Sequence, residues 1–162
     1  MLAYPVSDKP IEYNKTSMQP KLDGVRCLIQ YEGSKVIGYE SVVAYSRTGK
    51  LWLNINHILA ELIPFFQKHP HVILDGELYN HAFKDDFESI ISMVRKQKPT
   101  AEDRVISAEN VQFHCYDVID EALTFEERNY FIQKHVKPSY CIKHVTTMAV
   151  GDDKLAKMIH QQ

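Results

Sequence analysis

The chain has 162 residues, enough for about one domain with a real core, and its 44% apolar and 25% charged content is an ordinary globular balance. No apolar run approaches the ~18–20 residues of a membrane span, and the longest, Ile55 to Phe66, is interrupted by Asn56, His57 and Glu61. A net charge of −2 does not announce a nucleic-acid binder, so any such role needs a local cluster of cations.

Along the chain, Cys27-Leu28-Ile29 predicts a strand, Gly33-Ser34 a turn, and Lys35 to Tyr39 a hairpin partner. Val42 to Tyr45 is a further short strand. Apolar residues at Ile55, Ile58, Leu59, Leu62, Ile63 and Phe66 have helical spacing, and Pro70 helps to stop that helix. Val72-Ile73-Leu74 opens a buried strand, and Asp86 to Lys96 reads as a second helix. Pro99 to Asn110 reads as a polar loop, and Val111 to Ile119 as a strand of β-branched and aromatic residues. Thr124 with Glu127 forms a capping box for a helix running to about His135. Tyr140 to Val145 is a strand candidate and Asp152 to His160 a final helix. The class is α+β, with mixed and antiparallel sheets flanked by helices. Strict βαβ winding is not expected, because the early strands are joined by turns too short for parallel crossovers.

Three widely spaced cysteines, Cys27, Cys115 and Cys141, argue against a disulfide framework and lack zinc spacing with the eight histidines. Together with an N-terminus lacking a basic and apolar leader, they suggest a reducing cytoplasm. The cations Arg95, Lys96, Lys98 and Arg104 form one local cluster. It is open to two readings: favourable charge at a helix C-terminus, or a contact for nucleic acid.

The chemistry concentrates in four strings. Gln19-Pro20-Lys21-Leu22-Asp23-Gly24-Val25-Arg26 sets an amine beside a carboxylate, a glycine and a guanidinium. Lysine becomes a nucleophile when its ammonium loses a proton, which desolvation or a nearby cation encourages. Gly24 permits a tight turn or close approach to a ligand, and Arg26 offers a fork suited to phosphate. Taken alone, this string could equally be a solvated surface turn. Tyr45-Ser46-Arg47-Thr48-Gly49 follows a strand, and Leu74-Asp75-Gly76-Glu77-Leu78 places two carboxylates at period two, on one face of a strand. Phe113-His114-Cys115-Tyr116-Asp117 is the fourth. Carboxylates in an apolar strand need hydrogen-bond, cation or metal partners. Singly, each has a plainer reading: Asp75-Gly76 as a turn, Arg47 as surface charge, Tyr116 as core.

In this order, the strings resemble those of ATP-dependent DNA ligases of the small viral or phage kind. These belong to the covalent nucleotidyltransferases, which include mRNA capping enzymes. The likeness spans roughly Met18 to Asp120 and implies the nucleotidyltransferase (ATP-grasp-like) adenylation fold. It further implies that Lys21 attacks the α-phosphate of ATP, expels pyrophosphate and holds AMP. Gln19 would contact adenine, Arg26 the phosphate or nick, Arg47 and Glu77 the ribose or nearby phosphate, and Tyr116 would stack on the base. Asp23, Asp75 and Glu77 are the candidate ligands for Mg²⁺. The partner implied is nicked double-stranded DNA, in repair, replication or recombination, with the protein a monomer in the cytoplasm, that of the host if viral. Arg26 disfavours an NAD-dependent ligase, whose motif typically ends in alanine. The family's later Glu-Gly and lysine motifs and its oligonucleotide-binding domain are not found before Gln162. The expectation is therefore a partial adenylation domain over 1–162, weak in isolation. Alternatives are an mRNA capping guanylyltransferase, an RNA ligase, or a non-catalytic nucleic-acid-binding remnant of a ligase.

Overall fold

A computed structural model describes residues 12, 16–33 and 41–151. The chain divides into two compact units, one of residues 1–20 with 146–162 and one of Lys21–Val145. In the first, β1 (Thr16–Met18) and β7 (Met148–Val150) pair antiparallel, Thr16 opposite Val150. Neither short strand was expected from the sequence.

The second unit is built on five strands: β2 (Val25–Tyr31), β3 (Val42–Tyr45), β4 (Ile73–Tyr79), β5 (Gln112–Val118) and β6 (Ile142–His144). Their spatial order is β3-β2-β4-β5-β6. All neighbours are antiparallel except β5 and β6, which run parallel and are joined through a helix, as a parallel crossover requires. The α+β class is thus observed. The expected strand at Val42–Tyr45 forms with those bounds, and those at Cys27–Ile29, Val72–Leu74, Val111–Ile119 and Tyr140–Val145 form with shifted ends. The expected partner strand at Lys35–Tyr39 and the final helix at Asp152–His160 lie outside the described residues.

Four α-helices accompany the sheet: α1 (Asn56–Lys68), α2 (Phe87–Val94), α3 (Ala101–Asn110) and α4 (Phe125–His135). Helix α1 buries Ile58, Leu59, Leu62, Phe65 and Phe66, the stripe its sequence period demands. These join Cys27, Ile29, Leu74, Leu78, Phe113, Cys115 and Val118 in one apolar cluster, with Val94 of α2 and Ile132 of α4. Alternation along β2 and β4 therefore assigns one sheet face to the core. The other face is left to Arg26, Leu28, Asp75 and Glu77.

One prediction fails: 99–110 is not a loop. The Thr100 hydroxyl accepts from the Asp103 N–H, and the Asp103 carboxylate accepts from the Thr100 N–H, a capping box that starts α3. The helix was hidden because it lacks an apolar stripe. Its only buried residue is Ser107, whose hydroxyl donates to the Asn54 carbonyl. Val105 and Ile106 are exposed.

Candidate active site

Cross-strand register assembles the site. Arg26 on β2 lies opposite Glu77 on β4, Glu77 opposite His114 on β5, and His114 opposite Lys143 on β6. Four strands thus contribute one row of ionisable side chains to the sheet face away from the core. Asp75 is diagonal to Arg26 and binds its guanidinium through both oxygens, at 3.0 Å from Nε and 2.8 Å from Nη2. The Asp75 side chain is 8% exposed and that of Arg26 20%. Such a fork-to-carboxylate pair is charge-assisted and geometrically specific, and it raises the Arg26 pKa further, against the opposing effect of burial.

Tyr116 reaches the same place through an irregularity. Asp75 faces Asp117, but the next residue, Gly76, faces Cys115, so Tyr116 is an extra residue in β5. Burial alternates along β5 until 116 and 117, which are both half-buried. A bulge of this kind re-aims a side chain. Here it brings the phenol into hydrogen bonding with Asp75, and burial, with Asp75 and Glu77 adding, pushes its pKa up. Asp117 itself pairs with Arg128 of α4 at 2.7 Å, tying the strand end to the helix that follows.

Among the described residues, Glu77 is the carboxylate whose pKa is clearly raised. Burial pushes its pKa up to about 7, opposed by the Gly24 N–H and by the charge of Lys21. Gly24 was expected to serve a turn or a ligand approach; its role is proximity to β4. A Cβ there would fall against the carbonyl oxygen of Leu78 and 2.8 Å from Cγ of Glu77. The Lys21 loop is therefore seated on Glu77. Gly76 has a similar role on the core face, where a Cβ would lie 2.5 Å from the Phe113 ring.

Lys21 itself is 90% exposed, its Nζ 3.2 Å from Oδ1 of Asp23. The desolvation expected to activate it is not supplied by the described residues; its immediate partner is an exposed carboxylate. Arg47 sits on the turn after β3, closed by Ser46 N–H to Lys50 O at 2.7 Å and Gly49 N–H to Ser46 O at 3.0 Å, with Gly49 at φ +80°. Because β3 runs antiparallel to β2, that turn leaves the sheet at the end where the Lys21 loop enters. Arg47 is exposed there. Gln19 is described with the first unit, where its Nε2 donates to Thr147 at 2.9 Å.

So Arg26, Asp75, Glu77 and Tyr116 converge, with Lys21 and Asp23 on the adjoining loop. His114 was not singled out from the sequence. It is two residues from Tyr116 in the same motif, and that period-two spacing was the available signal. Burial, with Lys143 and His81 adding, lowers its pKa to about 4, so it is neutral at pH 7. Its Nε2 lies 3.0 Å from Gln112 Oε1, and its ring packs 5.2 Å from that of Tyr79.

Among the described residues, no three His, Cys, Asp or Glu side chains gather as a metal cage. Mg²⁺ does not require one, since it is commonly held by one or two carboxylates together with substrate phosphates. Asp75, expected as a ligand, has both oxygens engaged by Arg26; Asp23 and Glu77 flank the Lys21 loop.

No helix among the described residues is long and apolar enough to cross a membrane. No curated protein matches the chain. Among solved structures, "DNA binding with a minimal scaffold: Structure-function analysis of Lig E DNA ligases" is similar with TM-score 0.64 at 18% identity, over 94% of this chain and 52% of that one. "Pmar-Lig_Pre." gives 0.58 at 19%, over 90% and 34%. The ligase domain from M. tuberculosis LigD gives 0.51 at 16%, over 88% and 43%. These likenesses establish the fold, and the chain spans about a third to a half of the length of those structures. The family model described as "ATP dependent DNA ligase domain" matches residues 1–162, and the chain belongs to that family.

Proposed function

We propose that this chain forms the nucleotide-binding part of an enzyme that seals nicks in duplex DNA through adenylate held on Lys21. The observation that carries the reading is the convergence of Arg26, Glu77 and Tyr116 on one sheet face, with the Lys21 loop seated on Glu77 through Gly24.

In this reading Lys21 Nζ attacks the α-phosphorus of ATP as the free amine. An N–P bond forms as the bond to pyrophosphate breaks. Glu77 accepts from a ribose hydroxyl, and Tyr116 offers its face to adenine. Arg26, held rigid by Asp75, and Arg47 neutralise phosphate charge. Asp75 acts as the anchor of Arg26. Asp23 and Glu77, with the substrate phosphates, would hold Mg²⁺, which would supply further charge neutralisation, the main requirement of phosphoryl-type transfer. AMP then passes to the 5′-phosphate of the nick, and the 3′-hydroxyl displaces it to join the strand.

The test is incubation of the chain with Mg²⁺ and ATP radiolabelled at the α-phosphate. Acid-labile label on wild type, absent from Lys21→Arg, is the expected result. Label that persists in Lys21→Arg, or that forms preferentially from GTP, rejects it; GTP preference would indicate the capping reaction.

A further inference from the structure

We infer that the cations of the turn after β3 and of the corner between α2 and α3, namely Lys50, Arg95, Lys98 and Arg104, form a track for the phosphate backbone of the duplex flanking the reaction site. The inference rests on the reading of this chain as a nick-sealing enzyme and adds the surface on which its DNA would lie.

The competing account of these cations, helix-dipole stabilisation, covers Arg95 as the C-cap of α2 but not Lys98 beyond it, Arg104 in the first half of α3 or Lys50 on the turn after β3. Helix α2 ends at Val94 with no basic residue in its last turn. Arg95 is its cap, and Lys98 lies beyond it. Lys96 is committed differently, to Asp103 at 3.5 Å. All of Lys50, Arg95, Lys98 and Arg104 are exposed. Among the described residues Lys50, Arg95 and Lys98 form no ion pair with a carboxylate. Exposed cations left without carboxylate partners suit an external polyanion.

A rigid strap ties them to the site. Trp52 Nε1 donates to the Arg26 carbonyl at 3.2 Å, and its backbone N–H to Ala44 at 2.9 Å. Asn54 Nδ2 reaches both the Met93 carbonyl at 2.8 Å and that of Asp103 at 3.2 Å. Arg104 Nη1 holds the Leu53 carbonyl at 3.3 Å, leaving the other guanidinium edge available. Segment 50–55 therefore runs from the start of β2 to the α2–α3 corner. At no more than ~3.6 Å per residue, Lys50 and Arg95 lie within about 30 Å of each other, less than the ~34 Å of one duplex turn. The track is a local excess of positive charge on a chain whose total is −2, and Trp52 joins its Lys50 end to the Arg26 backbone at the start of β2.

The test measures binding of a fluorescent nicked duplex over a series of salt concentrations. Its variants are Arg95→Gln with Lys98→Gln, and, as a control, Lys134→Gln with Lys137→Gln at the end of α4. Each phosphate contact contributes about 0.9 to the slope of log K against log salt. The corner variant should lower that slope by about 2 and weaken binding at 0.1 M salt by about tenfold or more, with unaltered melting temperature and adenylation. The control should keep the wild-type slope. A wild-type slope in the corner variant, an equal fall in the control, or no duplex binding by the wild-type chain overturns the inference. Label on Lys21 with no slope change would reject the track alone, whereas a slope change without label would reject the adenylation reading.

Discussion

The backbone of Gly24 lies against β4 so closely that its N–H serves the Glu77 carboxylate and a single added carbon would meet Glu77 Cγ at 2.8 Å. A strand carboxylate and a loop amine are thereby held in one place by the absence of a side chain. Gly24→Ala should push the Lys21 loop off β4. Since misplacement of reacting groups by an ångström costs about 100-fold, adenylation should fall by about that factor, and the clash with the Leu78 carbonyl should lower stability by about 1–3 kcal/mol. Quench-flow labelling with ATP measures the first and thermal unfolding the second. Unchanged adenylation would refute the seating.

The Arg26–Asp75 pair is doubly bonded, its carboxylate buried and its guanidinium partly so. Arg26→Met strands the Asp75 carboxylate and should cost about 3–5 kcal/mol. The double variant Arg26→Met/Asp75→Leu removes both charges and should recover most of that loss. Urea unfolding of the single and double variants gives the coupling directly; a double variant as unstable as the single one speaks against it.

Glu77 sets a pH dependence with a definite sign. In the folded chain it holds its proton to about pH 7, against an ordinary value of 4.5. Between those values the folded state binds more protons than the unfolded, so this contribution is complete below pH 4.5 and is lost as pH rises through 7. Glu77→Gln should flatten that part of the curve. Adenylation should run oppositely, rising through about pH 7 as the carboxylate ionises to accept the ribose hydroxyl. Melting temperatures and labelling rates between pH 4.5 and 8 report both.

Tyr116 contributes a ring and a hydroxyl. Tyr116→Phe keeps the ring and loses the bond to Asp75, so nucleotide affinity should stay within a few-fold. Tyr116→Ala should weaken it by about 10–100-fold, the worth of about 1–3 kcal/mol of base stacking. Equilibrium binding of ATP to the two variants separates the contributions, and equal losses would reject stacking.

Helix α3 depends on its first turn, because it buries only Ser107. Thr100→Ala should therefore cost about 1 kcal/mol and increase hydrogen exchange in 101–104, with less effect on β4 or β5. Uniform loss of protection through the sheet would contradict a local role.

Particular residues show what the sequence could and could not disclose. Asp75 and Glu77 were placed on one strand face correctly because period-two alternation is a local property. Their pairing with Arg26 and Tyr116 was out of reach, because register between distant strands is set by packing. A bulge leaves no composition signal. Helix α3 was misread because Val105 and Ile106 point outward and its N3 acid is Asp rather than the usual Glu. The exposure of Lys21 was equally hidden: a motif specifies which groups are present, not how much water reaches them. Where an apolar period governed, as in α1, the prediction and the structure agree within a residue or so.

The extra residue in β5 makes the length of that strand as consequential as its composition. Deleting one residue at 116 would restore a regular ladder with β4 and bring position 117 into the place that the phenol now holds. Conventional substitution scanning would not expose this sensitivity, since every amino acid in the segment could remain chemically suitable. Only a change in residue count would show that the position of the Tyr116 ring depends on a strand one residue too long for its neighbour.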